Sequence, residues 1–498
     1  MGYAKIWSRG ALGLDAPPVG VEVHLAGGLP TFQIVGLAAT AVRESRDRVR
    51  GALATAGFDF PVSRITVNLT PADLPKHGGR FDLAIAFGIL AASEQLKFKE
   101  LDQLECFAEL TLAGELMPIA GALPAAMETT KRDRIAVVAP GNRAEACSIE
   151  GARVFAPTSL AEAVGVLNTN QPLPLAQSQP FQNDVAEYPD LRDVVGQPLA
   201  RRALEIAACG GHNLLLTGPP GTGKSMLAAR LPGLLPPPNG DALREIAAVR
   251  SVLGQPIGHG ICRPFRTPHH STSAAALVGG GSLPRPGEVS RAHSGVLFLD
   301  ELPEFARHVL ECLREPLETG EMNVVRAAGA VRFPARFQLV CAMNPCPCGR
   351  LGEADATCRC SADQVQRYQD RISGPLLDRI DLSVRLPRVS FQALTDVSSE
   401  ESTAVVARRV AAARSLAERR HGSANATWSA SSVQSWLRSG GAAVTLLGQA
   451  ADSIRLSARQ CHRVARVARS IADLAGVEDI QRVHMAEALA LRAPGRTG

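Results

Sequence analysis

One run of this chain has the residue types and spacing that hold phosphate groups. Gly218–Ser225 is GPPGTGKS, which matches G-x-x-x-x-G-K-S. Glycines let backbone N–H groups converge on phosphates, the lysine amine reaches the β- and γ-phosphates, and the serine hydroxyl is an oxygen ligand for Mg²⁺. The sequence therefore predicts a nucleoside triphosphate site formed by Gly218, Pro219, Pro220, Gly221, Thr222, Gly223, Lys224 and Ser225.

The segments on both sides of this run have the elements that such a loop needs. Asn213–Thr217 is apolar and predicts a strand, and Met226–Arg230 predicts a helix. In a strand–loop–helix arrangement the helix N-terminus adds partial positive charge beside the phosphates. A plain Gly/Pro turn before a helix is the alternative, and these flanks make it the weaker interpretation.

Two acidic residues follow a second apolar segment, Gly295–Glu301 (GVLFLDE). Buried parallel strands are apolar throughout, and their carboxyl ends are where such sheets bind ligands. Asp300 is predicted to hold Mg²⁺ through water, and Glu301 to polarise the attacking water. Alone, an apolar run followed by two acids would indicate only a strand that meets solvent.

Two further polar residues lie at the end of an apolar run or between two such runs. Asn344 ends the apolar run Phe337–Asn344 and can position the lytic water beside the γ-phosphate. Arg379 lies in a short turn between apolar runs, where a cation can act on a γ-phosphate. Alone, Arg379 would be interpreted as a surface ion pair with Asp378 or Asp381.

Four of the eleven cysteines are clustered in two C-x-C pairs: Cys346, Cys348, Cys358 and Cys360. Four thiolates suit tetrahedral Zn²⁺, and an all-cysteine site is structural. The spacing is tighter than the common C-x₂-C, so four reduced thiols or a redox pair remain alternatives. His269 and His270 would be zinc ligands only if their segment folded nearby, and otherwise they are loop residues.

Composition indicates a multidomain globular protein. The 498 residues are 46% hydrophobic and 20% charged, and no apolar run reaches the length of a membrane span. The N-terminus lacks a signal segment, so we expect a cytoplasmic location with reduced thiols and no membrane partner. The net charge of +5 arises after Phe391, which permits contact with nucleic acid.

The order of predicted elements gives an α/β multidomain fold. Strand-like runs and helices alternate over residues 1–168, and a Gln/Pro/Ser-rich stretch over 169–190 is typical of a linker. Residues 191–390 form a second α/β unit that holds the phosphate loop, with an insert, a hairpin and the four-cysteine loop. Residues 391–498 are rich in Ala, Arg and Leu with helical periodicity, and predict a helical bundle.

The phosphate loop, the acidic pair, Asn344 and Arg379, in this order, resemble the AAA+ ATPases. Additional runs make the chain similar to the YifB/ComM family, which is described as magnesium-chelatase-like. The resemblance covers essentially the whole chain, and the runs that carry it are Ala4–Ser8, Pro71–Gly78, Arg263–Ser273, Gly279–Gly281, Pro286–His293 and Ala342–Gly349.

This resemblance implies a ring, with a hexamer as the expected form, that binds ATP and Mg²⁺ between subunits. Arg379 would reach the site from the neighbouring subunit. A second arginine, in cis, is expected on the first lid helix in a Ser/Thr-x-Arg setting. Ser457–Arg459 matches, so Arg459 is the predicted nucleotide contact and Arg463 the reserve. Helical spacing would place Arg455, Arg459, Arg463 and Arg466 on one face, with a solvated basic face as the alternative.

The sequence from Glu315 to Arg336 predicts a β-hairpin with a turn at Gly329. In replicative helicases of the resembled AAA+ branch, such a hairpin points a basic residue into the central pore. Arg326 has that position, and Arg332 lies on the return strand. Single-stranded or branched DNA would be gripped through phosphates without sequence preference. The alternative is an exposed arginine without a ligand.

The N-terminal segment Pro75–Ala84 resembles Lon protease around its nucleophile, which implies a Lon-protease-like α+β domain. Arg80 and Phe81 replace the serine turn, and no lysine lies near Pro118–Leu123. A serine–lysine dyad needs both groups. We therefore expect a protease-like domain without peptidase activity.

The resemblance favours an ATP-driven DNA helicase or branch-migration motor acting on incoming DNA during natural transformation. A chelatase-like motor that remodels a protein partner is the alternative, and chelatase ATPase subunits typically lack the N-terminal domain. A peptidase is disfavoured by the missing dyad, and a nucleotide-gated scaffold by the intact Asp300–Glu301 pair.

Overall fold

The computed structural model describes residues 2–36, 40–74, 76, 78–169, 171–184, 188–255, 257–258, 260–281, 284–326, 329–352, 358–389 and 400–492, without the side chains of residues 40–43 and 326. Its N-terminal part is a mixed sheet of seven strands in the order β3-β4-β2-β1-β5-β8-β9. These strands are β1 (Gly2–Arg9), β2 (Pro18–Ala26), β3 (Thr31–Val35), β4 (Arg64–Thr70), β5 (Leu104–Phe107), β8 (Ile135–Val138) and β9 (Arg153–Phe155).

Five helices and one small strand pair accompany this sheet: α1 (Thr40–Thr55), α2 (Asp82–Ala92), α3 (Ala122–Thr130), α4 (Arg143–Cys147), α5 (Leu160–Asn168), β6 (Glu109–Leu110) and β7 (Leu116–Met117). Helix α2 is almost wholly apolar and nearly all of its residues are buried. A helix that is apolar all round belongs inside a core. It packs on β1 and β2 at the centre of the N-terminal hydrophobic cluster.

The second unit is built on a fully parallel sheet in the order β13-β16-β19-β11-β20. Its strands are β11 (Leu214–Thr217), β13 (Phe265–Arg266), β16 (Val296–Leu299), β19 (Gln338–Met343) and β20 (Leu382–Arg385). The strands β16 and β19 are buried along their whole length, as expected for a sheet covered on both faces. The phosphate loop, the acidic pair and Asn344 therefore begin at one edge, where β11, β16 and β19 end.

Helices cover both faces of this sheet, and short strand pairs lie beside it. The helices are α6 (Pro198–Gly210), α7 (Lys224–Leu234), α8 (Gly240–Val252), α9 (Ala274–Val278), α10 (Glu288–Arg291), α11 (Arg307–Glu311), α12 (Arg314–Thr319), α13 (Ala362–Gln369) and α14 (Gly374–Leu377). The short strands are β10 (Gln182–Asn183), β12 (Gly260–Ile261), β14 (Gly279–Gly280), β15 (Arg285–Pro286), β17 (Glu321–Arg326) and β18 (Gly329–Pro334). Single 3-10 turns span Leu101–Gln103, Pro140–Asn142, Leu191–Asp193, Leu302–Glu304 and Asn425–Thr427.

Two local predictions differ from the structure here. The predicted linker includes β10, which pairs in parallel with β12, so part of this polar stretch is ordered against the insert. The predicted hairpin begins at Glu321 rather than Glu315, because Arg314–Thr319 forms α12 and Gly320 ends that helix in a left-handed conformation.

The C-terminal part is helical: α15 (Thr403–His421), α16 (Ala430–Ser439), α17 (Ala442–Ile454), α18 (Ala458–Leu474) and α19 (Arg482–Ala490). These helices share one hydrophobic cluster with α6, α7 and β11. The prediction that Arg455 lies on one helical face with Arg459 is wrong. Arg455 ends α17 with a φ of 49°, and α18 starts only after the Ser457 cap.

The N-terminal sheet unit and the parallel-sheet unit meet at helices α3 and α8. Ser251 accepts hydrogen bonds from two N–H groups at the start of α3, through its carbonyl oxygen from Gly121 (2.8 Å) and through Oγ from Leu123 (3.1 Å). Leu123 packs with Leu243 and Ile246 of α8. The described part of the chain holds no helix with the length and apolar character needed to cross a bilayer.

Candidate functional site

The glycine-rich run lies between β11 and α7, where the sequence predicts it. Gly221 and Gly223 have φ values of 78° and 87°, in the left-handed region that favours glycine. A Cβ at Gly218 would come within 2.7 Å of the Leu386 carbonyl oxygen, so this position also needs glycine. The loop backbone thus curls at the N-terminus of α7, which is the geometry that binds phosphate.

Lys224 begins α7, and its amine lies inside this loop. Nζ donates to the carbonyl oxygens of Gly218 (2.7 Å) and Pro219 (2.9 Å) and to Oδ1 of Asn344 (3.1 Å). The Thr222 hydroxyl donates to the same Pro219 oxygen. Burial lowers the pKa of Lys224, and two nearby carboxylates oppose that shift. Lys224 and Asn344, 120 residues apart, therefore meet as one polar cluster.

Ser225 and Asp300 are also brought together. The Ser225 hydroxyl donates to Oδ2 of Asp300 over 2.7 Å, directly after β16 ends. A hydroxyl and a carboxylate are the hard oxygen donors that Mg²⁺ prefers, so this pair fits the predicted ion. Bound there, Mg²⁺ would neutralise charge on the transferred phosphate.

Glu301 has an unusual backbone and a neighbour that the sequence did not indicate. Its φ of 51° is left-handed, and its N–H donates to Oδ1 of Asp300. Its Oε2 lies 3.4 Å from Nδ1 of His270. The His270 ring packs against the His269 ring at a tilt of 34° (4.0 Å between centroids) and meets the Phe305 ring edge-on. His270 thus contacts the predicted water-polarising carboxylate, although the sequence favoured a loop role for it.

His270→Ala should lower the turnover number about 10–100-fold with an unchanged KM for ATP, since it removes the contact that orients Glu301. His270→Asn retains a donor and should recover most of the rate. The control is His308→Ala, which removes an exposed histidine on α11. Steady-state ATPase kinetics check this, and a shared loss of kcat in both alanine variants would contradict it.

The four clustered cysteines follow directly on Asn344. All four Sγ atoms lie within 4.8 Å of one another, and the hydrogen-bonded pairs among Cys346, Cys348 and Cys358 are 3.4–3.7 Å apart. Zn–S bonds of about 2.3 Å give a tetrahedral edge of about 3.8 Å, so with Cys360 this spacing fits one bound zinc.

The cysteine loop also contacts the phosphate loop. A Cβ at Gly349 would come within 2.6 Å of Cδ of Pro220, so the two loops touch. Backbone N–H groups of Arg350 and Arg359 lower the pKa of Cys348 to about 6. Burial and hydrogen bonds with neighbouring thiols raise the pKa values of Cys358 and Cys360, so the thiols of this loop do not ionise alike.

Arg379 is engaged within its own chain. Its guanidinium pairs with Glu318 and donates to the Pro375 carbonyl oxygen, and burial lowers its pKa. Its partner is thus neither Asp378 nor Asp381, the two acids that the sequence suggested. A role for Arg379 across a subunit interface stays a prediction, and would require the Glu318 contact to open.

The arginines of α18 have different environments. Arg459 is exposed two residues after the Ser457 cap, so it is free of the core. Arg463 pairs with Asp381 over 2.6 Å, and Nε of Arg466 donates to the Trp428 carbonyl oxygen. Arg463 therefore ties the helical region to the parallel-sheet unit, and Arg466 joins two segments within the helical region. Arg459 remains the predicted nucleotide contact.

The hairpin β17–β18 is anchored by its apolar face. Met322 and Phe333 pack into the core beneath the parallel sheet. On the other face Arg332 is 68% exposed and pairs with Glu321 at 3.3 Å. Exposed pairs of this kind contribute little, so Arg332 remains available to an anion. The backbone of Arg326 closes β17 opposite Gly329, and its side chain lies outside the described atoms.

In the N-terminal unit, the segment that resembles the region around the Lon nucleophile holds two buried cations. Lys76 is buried, and its amine donates to the carbonyl oxygens of Pro71 and Leu74. Arg80 is buried as well and donates to backbone carbonyls. Neither residue is paired with a hydroxyl nucleophile among the contacts described.

These features define an AAA+ nucleotide-binding protein: a five-stranded parallel sheet carries a phosphate loop, an acidic pair and a polar residue at the end of a third strand, and a helical region follows the sheet. Comparison with known families agrees. Residues 190–394 match the family described as magnesium chelatase, subunit ChlI; residues 21–142 match subunit ChlI of Mg-chelatase; and residues 400–492 match the ChlI C-terminal family.

Relatives that align with the whole chain identify its family more specifically. The chain is 45% identical to competence protein ComM of Haemophilus influenzae (99% of this chain, 98% of the relative) and 43% identical to YifB of Escherichia coli (100% and 98%). It is 28% identical to the magnesium-chelatase 38 kDa subunit of Cereibacter sphaeroides over 30% of this chain and 51% of that protein. The chain belongs to the YifB/ComM family of magnesium-chelatase-like AAA+ proteins. Membership of this family implies ATPase activity.

Proposed function

We propose that this protein is a ring-forming, ATP-driven DNA motor that moves single-stranded or branched DNA during recombination of incoming DNA. The observation that carries the proposal is the assembled hydrolytic cluster in a chain that aligns along its whole length with a competence protein. An anchored hairpin with an exposed arginine supplies a surface for phosphates. Aromatic residues make up only 4% of the chain, which favours backbone contact over base stacking.

The proposed chemistry uses residues at the carboxyl edge of the parallel sheet. Lys224 and the loop N–H groups would bind the phosphates, and Ser225 and Asp300 would hold Mg²⁺. Glu301 accepts a proton from the attacking water, and Asn344 orients that water. Arg379 from a neighbouring subunit would then supply positive charge at the γ-phosphate, and Arg459 would contact the nucleotide in cis.

A chelatase-like motor is the second candidate. The match of residues 21–142 to a chelatase family removes the argument that the N-terminal unit is foreign to chelatase subunits. The extent of alignment still favours the DNA motor, because the chelatase subunit aligns over 30% of this chain and the competence protein over 99%.

The test measures ATP hydrolysis with each candidate substrate in turn. We expect single-stranded DNA to stimulate turnover, and expect no response to protoporphyrin with Mg²⁺ or to casein. Displacement of a labelled strand from a forked oligonucleotide would demonstrate movement. Stimulation by protoporphyrin alone would favour the chelatase-like alternative, and vigorous hydrolysis without strand displacement would contradict the motor.

Arg326→Ala and Arg332→Ala should each lower DNA-stimulated turnover and leave basal hydrolysis near normal. Each should also reduce the slope of log affinity against log salt by about 1 for every subunit whose arginine contacts the DNA, because one phosphate contact is lost at each of them. The control is Arg419→Ala, an exposed arginine on α15. Fluorescence anisotropy across a salt series checks this, and an unchanged DNA response in both hairpin variants would remove the hairpin from the DNA path.

A further inference from the structure

A cavity of about 380 Å³ lies where the N-terminal unit meets α8 and the β14–β15 pair. Its size falls within the range of about 300–1,000 Å³ that is typical of small-molecule sites. One wall is the loop from Gly10 to Ala16, and another is formed by the segments that precede α2 and α3. Much of the lining is apolar, and includes Leu12, Ala16, Ile119, Pro124 and Val252. This cavity is separate from the phosphate loop, none of whose residues line it.

The buried cation of this cavity is Arg80, and an exposed cation, Arg285, also lines it. The Arg80 side chain is 6% exposed, and its guanidinium donates to the carbonyl oxygens of Gly10 (2.7 Å), Arg9 (3.4 Å) and Ala120. No carboxylate among the described residues pairs with it, and burial lowers its pKa to about 10. A guanidinium has five N–H donors, and these three bonds leave some unused. A buried cation without a counter-ion is costly, so an anion bound beside it would be stabilised.

Two helices begin beside this cavity. Helix α2 begins two residues after Arg80, and helix α3 begins directly after Gly121, which also lines the cavity. N–H groups at these helix starts are already engaged, since Gly121 and Leu123 donate to Ser251 and Asp82 donates to the Gly79 carbonyl oxygen. The buried guanidinium of Arg80 is therefore the group that would bind an anion here.

Two acids among the lining residues restrict which anion fits. Asp15 and Glu109 line the cavity, and Glu109 lies 3.7 Å from Arg48 outside it. Their charges oppose a multiply charged phosphate more strongly than a group with a single charge. The apolar walls in turn suit a hydrocarbon group attached to that charge.

We propose that this cavity binds a single carboxylate carried on a small apolar group, with the carboxylate on Arg80. A free organic acid and the C-terminal residue of a peptide share this chemistry. Since Val252 and Arg285 belong to the parallel-sheet unit, the ligand would bridge the junction that Ser251 already holds. Occupancy should therefore stabilise that junction.

The test uses N-acetyl-leucine as the free acid, a tripeptide ending in leucine, and the amides of both. Isothermal titration should show binding of at least one acid tighter than about 1 mM, and amidation should weaken it at least about tenfold. The bound acid should raise the midpoint temperature of unfolding of the full-length protein. Relative affinity for the two acids distinguishes the two sources.

Two variants test the site itself. Arg80→Gln should lose the preference for acid over amide. Since Arg80 is buried and its loss can destabilise the fold, a second variant, Ala11→Trp, fills the cavity from its exposed rim and leaves Arg80 in place. It should weaken the acids about tenfold or more while basal ATP hydrolysis stays unchanged. Equal binding of acids and amides, retention of binding in folded Ala11→Trp, or failure of both acids to bind below about 1 mM would each overturn the proposal.

Discussion

Glu301→Gln should bind ATP and Mg²⁺ normally and hydrolyse ATP about 10²–10⁴-fold more slowly. The amide is isosteric with the carboxylate but cannot accept the proton of the attacking water. Binding should be retained because other residues hold the phosphates and the metal. The Lys224 amine donates to loop carbonyl oxygens, and the Ser225 hydroxyl donates to Asp300. A binding assay with a fluorescent ATP analogue and a single-turnover assay measure the two effects separately.

Glu304→Gln is the matched control, because Glu304 lies on the same turn but pairs with Arg371 at 2.9 Å. It should leave both binding and turnover close to those of the unaltered protein. If turnover survives in Glu301→Gln, the proton is accepted by another group. Equal losses in the two variants would indicate a folding defect of the turn, and would contradict a specific role for Glu301.

The parts of the nucleotide site that the sequence predicts are those encoded by local patterns. A strand, a loop and a helix adjoin each other in the phosphate loop, and Asp300 and Asn344 each follow an apolar run. The carboxyl ends of parallel strands lie at one edge of their sheet. Residues that follow these strands can therefore be predicted to lie close together without knowing which strands are paired. The contact between Lys224 and Asn344 is thus predictable although 120 residues separate them.

The contacts that the sequence missed depend on which segments pack together. Two adjacent histidines in a polar segment look like any loop, and only the pairing of β13 with β16 brings His270 to Glu301. The short connection at Arg455 interrupts an arginine pattern that helical periodicity alone would continue. The sequence around Arg80 likewise does not indicate that its charge lacks an acidic partner in the fold.

Replacing cysteines of the four-cysteine loop should have the second large effect, on metal binding and stability. Cys358→Ser with Cys360→Ser should abolish zinc binding, which in metal-dependent peptides contributes about 10–16 kcal/mol to folding. The loss here should be smaller, since the loop is also anchored at Asn344 and against Pro220. Elemental analysis should find one zinc per chain in the unaltered protein and none in the variant, and thermal unfolding should begin at lower temperature.

ATP turnover should fall when zinc binding is lost, because the cysteine loop starts two residues after Asn344 and contacts the phosphate loop. A misplaced Asn344 would leave the Lys224 amine without its side-chain acceptor and the lytic water without its predicted partner. The control is Cys461→Ser on α18, a thiol outside the four-cysteine cluster. If the unaltered protein holds no zinc, or if the double variant keeps full turnover and stability, then the four thiols have neither a metal-binding nor a supporting role at the nucleotide site.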